Sequence, residues 1–375
     1  MELVFWVAVA FITYAYFGYP LLLGIVAVLR PRAVAKGDVT PKVSLIITAH
    51  NEAKRIDEKI DNSLLQAYPG GQLEIIVASD CSTDGTDELV RSFDSRGVRL
   101  VRAPERRGKE HSQKLAIAAA GGEILVFSDA GTTLPADGIQ RIVRNFADPM
   151  VGCVSSVDRL LDREGNVSGE GAYVRYEMLL RRLETRAGSI VGLSGSFFAA
   201  RREVCREWST DVPSDFRILL DAVRMGYRGV SDEDSIGYYR TIADESREFE
   251  RKTRTVVRGI AAVMANRDML NPLRYGMVAW QLCSHKLCRW LVPFFMMLAL
   301  ASNAMLVGRL GYLAVFLIQI AFYGMACCGM WTNRFVGNRM LKLPAFVVLA
   351  NLSIVRAWYR YASGQRVVSW TPSNR

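Results

Sequence analysis

From Leu3 to Leu29 the chain carries no charged side chain, a run long enough to cross a bilayer as a helix. No other feature restricts the fold as strongly, because backbone in hydrocarbon must satisfy its own hydrogen bonds. Two further runs, Trp290 to Val307 and Leu310 to Trp331, have the same character apart from a few neutral polar residues. These runs hold the apolar excess of a 375-residue chain that is 50% hydrophobic, so three spanning helices are expected. Their flanks set the orientation. Only Glu2 precedes the first run, whereas Arg30, Arg32 and Lys36 follow it; Arg309 alone separates the second from the third, and Arg334, Arg339 and Lys342 come after. Lys and Arg favour the cytoplasmic side, which places the long middle region in the cytoplasm. The first run reads as an uncleaved anchor, since it lacks a basic n-region and exceeds the length of a signal h-region. A last apolar segment, Leu343 to Val355, is shorter and runs into Arg356 and Arg360. It is expected as an interfacial or re-entrant helix, with a fourth span as the alternative. The expected divisions are an anchor over 1–36, a cytosolic domain over 37–268 and a membrane region over 269–375.

The net charge of +10 is accounted for by these flanks and by cations that snorkel along apolar surface. Neither a nucleic-acid motif nor an aromatic platform accompanies it, and no nucleic-acid partner is expected. The seven cysteines are odd in number and show no CxxC spacing, which suits reduced thiols. His50, His111 and His285 are too dispersed for a metal motif.

Within the middle region strand-like and helix-like segments alternate. Strands are expected at Val43 to Thr48, Leu73 to Ala78, Val98 to Arg102 and Ile124 to Ser128, with helices near 53–66, 86–95 and 110–120 between them. That order predicts an α/β domain with a mostly parallel, helix-covered sheet. Three of the strands end in polar or acidic residues, at Ala49-His50-Asn51-Glu52, at Ser79-Asp80 and at Asp129. The carboxyl edge of such a sheet is where ligands bind, and acids there suit a nucleotide site. Asp84 and Thr86 have a simpler reading as helix caps. No GxGxxG or GxxxxGKS loop occurs, which argues against a dinucleotide oxidoreductase and a P-loop ATPase.

The succession Thr48-Ala49-His50-Asn51-Glu52, Ser79-Asp80-Cys81-Ser82-Thr83-Asp84-Gly85-Thr86, Gly108-Lys109, Phe127-Ser128-Asp129-Ala130-Gly131-Thr132 and Ser214-Asp215 resembles the inverting family 2 glycosyltransferases of the GT-A fold, over roughly Val43 to Ile260. The GT-A fold is a Rossmann-like nucleotide-diphospho-sugar transferase domain. Membrane members, among them polysaccharide synthases, set such a domain between membrane helices. The resemblance implies that Ala49, His50 and Glu52 line the base and ribose pocket, that Asp80 hydrogen-bonds a uracil-like base, and that Lys109 sits near ribose or diphosphate. It makes Asp129 the first acid of a DxD motif that holds Mg²⁺ or Mn²⁺ against the donor diphosphate. This chain departs from the motif at Gly131, leaving one carboxylate. Asp215 corresponds to the base that takes the acceptor proton, with Ser214 where an acid usually precedes it. Ser194, Gly195 and Ser196 correspond to the acceptor-proximal strand, although packing glycines in a buried strand are an equal reading.

Processive relatives carry QxxRW about forty residues after the base. Here that place reads Arg251-Lys252-Thr253-Arg254-Thr255, which keeps cations for the donor diphosphate, Arg251 and Arg254, and lacks the Trp. Lys286-Leu287-Cys288-Arg289-Trp290 looks like a displaced copy but abuts a span, where Trp and Arg anchor at the interface. The implied activity is transfer of a sugar, UDP-linked by resemblance, to a lipid-linked or saccharide acceptor at a bacterial inner membrane, in cell-surface or exopolysaccharide synthesis. The alternatives are a processive polysaccharide synthase and an inactive membrane scaffold that binds nucleotide sugar.

Overall fold

A computed structural model describes residues 1–161, 171–210, 212–240, 245–331 and 339–365. The chain divides into two compact units. One contains Leu23–Ala243 and Ala262–Val278; the other contains Met1–Leu22, Asp244–Ala261 and Ala279–Arg366.

The first unit is built on a seven-stranded sheet: β1 (Val43–Ala49), β2 (Leu73–Ser79), β3 (Val98–Arg102), β4 (Ile124–Asp129), β5 (Val151–Leu161), β6 (Phe197–Arg201) and β7 (Arg228–Arg240), in the order β3-β2-β1-β4-β6-β5-β7. β1, β2, β3 and β4 run parallel, with Ala49 beside Ser79 and Thr48 beside Asp129. Every residue of β1 is buried. Both sheet faces are covered, which is why these strands read as continuous apolar runs. Leu45, Ile47, Val77 and Val126 pack on one face with Ile56, Ile60 and Ile139. Ile46, Ile76, Leu125 and Phe127 pack on the other with Ala116, Ile117 and Leu219.

The first two connecting helices are shorter than expected, at Ile56–Leu64 and Thr86–Arg91, while the third, Lys109–Ala119, has the expected length and starts one residue earlier. Asp84 does more than start the second of them. Its Oδ1 accepts from the Thr86 amide at 3.1 Å, while its Oδ2 accepts from the Ala53 amide at 3.0 Å, tying the loop after β2 to the loop after β1. Burial pushes the Asp84 carboxyl up, but the hydrogen bond from the Thr86 hydroxyl, together with those from the Ala53 and Thr86 amides, outweighs it and holds the group below its usual range.

β6 breaks the parallel run. It is antiparallel to both β4 and β5, with Ser128 beside Phe197 and Ser155 beside Phe198. A reversed strand enters the sheet at the edge where its neighbours leave it. The residues before β6 therefore reach the same edge as Asp129, and the end of β5 reaches it too.

The second unit is helical. Four helices of the chain, Glu2–Leu29, Pro272–Ala304, Leu310–Trp331 and Met340–Ala362, are long and apolar enough to cross a membrane, the first ending and the second beginning in residues of the first unit. The second begins 18 residues before Trp290 and is broken at Gly276, whose φ of 51° and ψ of −121° are non-helical. The last apolar segment lies within a 24-residue helix, Arg339–Ala362, longer than its Leu343–Val355 core. Large apolar side chains stand exposed along these helices, including Leu3, Phe17, Leu317 and Ile318. That is the surface a lipid-facing helix presents, and it would be costly in water. Within the unit Phe11 stacks on Phe295 with ring centroids 3.8 Å apart. Trp290 is 8% exposed, its carbonyl accepts from Trp358 Nε1 at 3.0 Å, and a Cβ at Gly259 would lie 2.9 Å from its ring. Arg334 of the expected orientation signal falls outside the described residues.

Candidate active site

The carboxyl ends of β1 and β2 form a single hydrogen-bonded rim. Asn51, at a φ of 54°, receives the Thr83 amide on its Oδ1 at 2.9 Å and donates its own amide to Ser82 Oγ at 3.2 Å. Asn tolerates this left-handed backbone better than most residues. Ala49 is buried, and its carbonyl accepts from the Asp80 amide at 2.9 Å. His50 is buried with Nδ1 2.7 Å from the Asp80 carbonyl. Glu52 is buried, takes a 2.9 Å ion pair from Arg55, and its amide donates to Thr86 Oγ1 at 2.9 Å.

Asp80 is fully buried, and its carboxylate accepts from the backbone amides of Arg107 and Gly108, each at 3.0 Å. Gly108 adopts a φ of 95°, which a side chain would disfavour, and the helix Lys109–Ala119 starts immediately after it. Asp80 thus fixes the turn that delivers Lys109. Lys109 Nζ lies 2.5 Å from Asp129 Oδ1 and donates to the Gly195 carbonyl at 2.9 Å. Asp129 in turn donates its amide to the Ser196 carbonyl at 2.9 Å. A Cβ built at Gly195 would stand 3.3 Å from Asp215 Oδ2, and Asp215 lies in the first turn of the helix Ser214–Arg224. The geometry therefore brings Lys109, Asp129, Ser194, Gly195, Ser196 and Asp215 together at one sheet edge. It pairs one cation and one acid beside a second acid across a glycine, an arrangement able to hold an anionic leaving group and to accept a proton.

Arg251 and Arg254 belong to the helical unit, on the helix Glu245–Ala265. Burial and the neighbouring Arg258 and Arg251 guanidinium groups push the Arg254 pKa down, with Glu250 opposing. Such crowding of like charge is relieved by an anion. Thr255 Oγ1 donates back to the Arg251 carbonyl at 3.0 Å.

Two groups at the sheet edge escape sequence reasoning. Asp158, near the end of β5, accepts from Ser194 Oγ at 2.7 Å and from Ser196 Oγ. Desolvation pushes its carboxyl up, against the Ser196 and Ser194 hydroxyls and the Arg181 charge, while Asp129 pushes it further. Its strand, Val151–Leu161, runs on through Arg159, Leu160 and Leu161, so Asp158 is not a strand-end acid like Asp80 and Asp129, and the sequence carries no comparable signal for it. Lys59 gave none either, since it sits in a polar helix. Its Nζ is buried and donates to Ser128 Oγ at 2.8 Å and to the Thr132 carbonyl at 2.5 Å. Burial pulls the ammonium down to about 7, with Asp129 opposing.

Among the described residues no three His, Cys, Asp or Glu side chains gather as a metal site. A Mg²⁺ or Mn²⁺ ion that shares ligands with a diphosphate needs only one or two protein carboxylates. Asp129, 29% exposed at the strand end, fits that role, and the residue set does not fit an ion held by protein alone.

Comparison with known proteins bears on the whole arrangement. Residues 44–209 match the family model described as Glycosyl transferase family 2. Poly-beta-1,6-N-acetyl-D-glucosamine synthase of Staphylococcus aureus strain COL is 26% identical over 195 residues, which are 50% of this chain and 47% of that protein. Beta-monoglucosyldiacylglycerol synthase of Nostoc sp. strain PCC 7120 is 27% identical over 195 residues, 48% of this chain and 42% of that protein. The matches thus span about half the length of these curated relatives. Among solved structures, the mannosyltransferase PcManGT from Pyrobaculum calidifontis, in complex with GDP-Man and Mn²⁺, is 26% identical with a TM-score of 0.75, covering 96% of this chain and 99% of that one. The acid-ended strands, the mixed sheet and these likenesses converge, and the chain carries a family 2 glycosyltransferase domain of the GT-A fold, similar to that of polysaccharide synthases.

Proposed function

We propose that the protein is an inverting glycosyltransferase that moves a sugar from a nucleotide donor to a lipid-linked acceptor at the membrane surface, with the sheet unit in the cytoplasm of a bacterial cell and the apolar helices in its inner membrane. The observation that carries this reading is the chain of contacts from Asp129 through Lys109 and the Gly195 carbonyl to the edge of the Asp215 carboxylate. Asp215 accepts the proton of the acceptor hydroxyl as that oxygen attacks the anomeric carbon. Lys109 lies where it can offset charge that gathers on the departing diphosphate, and Arg251 and Arg254 are further candidates for that task. A divalent ion, held by Asp129 together with the donor phosphates, supplies additional positive charge when bound. Asp158 orients the Ser194 and Ser196 hydroxyls on the acceptor side.

The rim of Ala49, His50, Glu52 and Asp80 is assigned to the base and ribose. Sequence resemblance favours uridine. The likeness over nearly the whole chain to a mannosyltransferase bound to GDP-Man favours guanosine and mannose as a second donor reading, and it is the more specific of the two. On the acceptor side, one curated relative is named for a glycolipid product and another for a polymer. The lipid acceptor is preferred here because Thr255 stands where polymerising relatives present Trp.

The test is mass analysis of products formed by the purified full-length protein from a panel of UDP- and GDP-sugars with membrane lipids, with Asp215→Asn as the control. A sugar-lipid product that vanishes with Asp215→Asn is expected. Absence of any transfer across the panel would favour the scaffold alternative.

A further inference from the structure

Gly131 stands third in the strand-end motif that begins at Asp129, and a cation borders the space its missing side chain leaves. A Cβ built there would lie 3.3 Å from Arg55 Nη1. The Arg55 side chain is 25% exposed, and its Nε is held by the buried Glu52 carboxylate at 2.9 Å. One edge of the guanidinium is thereby fixed on an acid while Nη1 faces the turn of Asp129 to Gly131. Lys59 underlies the same turn through its bonds to Ser128 and Thr132. An acid at position 131 would pair with Arg55 and take up its free edge. Glycine leaves that edge for an anion from outside, next to the carboxylate assigned to the donor diphosphate.

We propose that Arg55 hydrogen-bonds the donor diphosphate directly, so that this protein holds a nucleoside diphosphate through a side-chain guanidinium as well as through a divalent ion. The planar fork suits two phosphate oxygens, and charge-assisted bonds of this kind are the strong ones. The inference rests on the transferase reading above and extends it to a residue that the motif pattern does not include.

Calorimetric titration of the full-length protein with UDP, GDP and the two parent nucleosides, each in EDTA and in Mn²⁺, tests it. The unaltered protein is expected to bind one diphosphate measurably in EDTA. Arg55→Met should weaken that affinity by roughly 10- to 100-fold, the loss expected for a charge-assisted hydrogen bond, while nucleoside affinity stays unchanged. Arg55→Lys should recover part of the loss, because it keeps the charge and the Glu52 pair but not the fork. Gly131→Asp should lower affinity in EDTA and make binding depend more steeply on Mn²⁺. Unchanged diphosphate affinity in Arg55→Met would overturn the inference, as would equal losses for nucleoside and diphosphate, which would mark Arg55 as structural through Glu52. Diphosphate binding only in Mn²⁺ would overturn it as well. If the unaltered protein bound neither nucleotide under any condition, the transferase reading itself would fall, an outcome distinct from the other three.

Discussion

Gly195 separates two charged groups with the least possible bulk. Its carbonyl accepts from Lys109, and a methyl group on its Cα would meet Asp215 Oδ2 at 3.3 Å, closer than ordinary van der Waals contact. Gly195→Ala is therefore expected to displace the Asp215 carboxylate by a few tenths of an ångström and to lower turnover by roughly 10- to 100-fold, with donor affinity retained, because catalytic groups tolerate little misplacement. Asp215→Asn removes the proposed base, and a loss of roughly 100- to 10,000-fold is expected. Steady-state kinetics beside donor titration check both; a Gly195→Ala protein with normal turnover would show that the glycine is only a packing residue. Lys59 gives a prediction of a different kind. Its pKa is about 7 in the folded protein against 10.5 as the ordinary value, so between these limits the unfolded chain binds the extra proton. Stability should accordingly rise as pH rises through that window, by on the order of a few kcal/mol, and should stay at its lower level below pH 7. Urea unfolding of the protein and of Lys59→Met across this range checks the sign: the slope should flatten in the variant. Of these residues, Asp215 stands out in sequence by its resemblance to the family's base ahead of an amphipathic helix, and it lies in the first turn of that helix. Lys59 does not, since a lysine in a polar helix is ordinarily solvated and only the tertiary fold folds it inward.

At the scale of elements, legibility follows burial. β1, β2 and β4 could be read because strands covered on both faces are apolar along their length and turn polar only where they end. β7 hides itself, for Arg228–Arg240 contains Ser231-Asp232-Glu233-Asp234-Ser235, which looks like a loop. Its Asp232 is nonetheless buried, receiving Lys36 at 2.7 Å, Asn145 Nδ2 at 2.7 Å and Ser235 Oγ at 2.9 Å. Lys36 and Asn145 come from distant parts of the chain, and no local pattern announces them. The reversal of β6 is equally silent in sequence, yet it decides the site, because it carries Ser194 to Ser196 to the edge of Asp129. The helix that presents Asp215 is fixed by packing against β5 and β7. A Cβ at Gly152 would lie 2.5 Å from the Tyr227 Cβ and 3.0 Å from the Ala222 Cβ, near the end of that helix. Neither atom is the tip of a flexible side chain. Gly152→Ala should therefore destabilise the protein by about 1–3 kcal/mol, the usual cost of overpacking, and should shift the helix enough to lower turnover as well. A thermal or denaturant melt measures the first effect, and an unchanged midpoint would show that the helix can move aside freely.

For the whole molecule the open contrast is between adding one sugar and building a chain. In the proposed reading the sheet unit carries the groups for a single transfer. Repeated transfer needs something more, a surface that keeps the product while the nucleotide is exchanged. In polymerising relatives an aromatic ring provides it, because a flat apolar face stacks well on a sugar ring. By the sequence resemblance Thr255 takes the matching position here, and its hydroxyl donates to the Arg251 carbonyl of its own helix. The Trp of the displaced RW pair, Trp290, is buried against Gly259 and under Trp358 within the helical unit, where it packs instead of offering a free face. Product release should then outrun extension. With excess donor, the protein is expected to convert most acceptor to a species bearing one or very few sugars, still attached to its lipid, before longer products accumulate. Thr255→Trp alone should not create a polymerase, since the added ring would lack the rest of a chain-holding surface. Following product size against time by mass spectrometry decides the matter. Long polymer formed early, while most acceptor remains unmodified, would show that this protein holds its product by a surface other than the one its relatives use, and would make processive synthesis its activity.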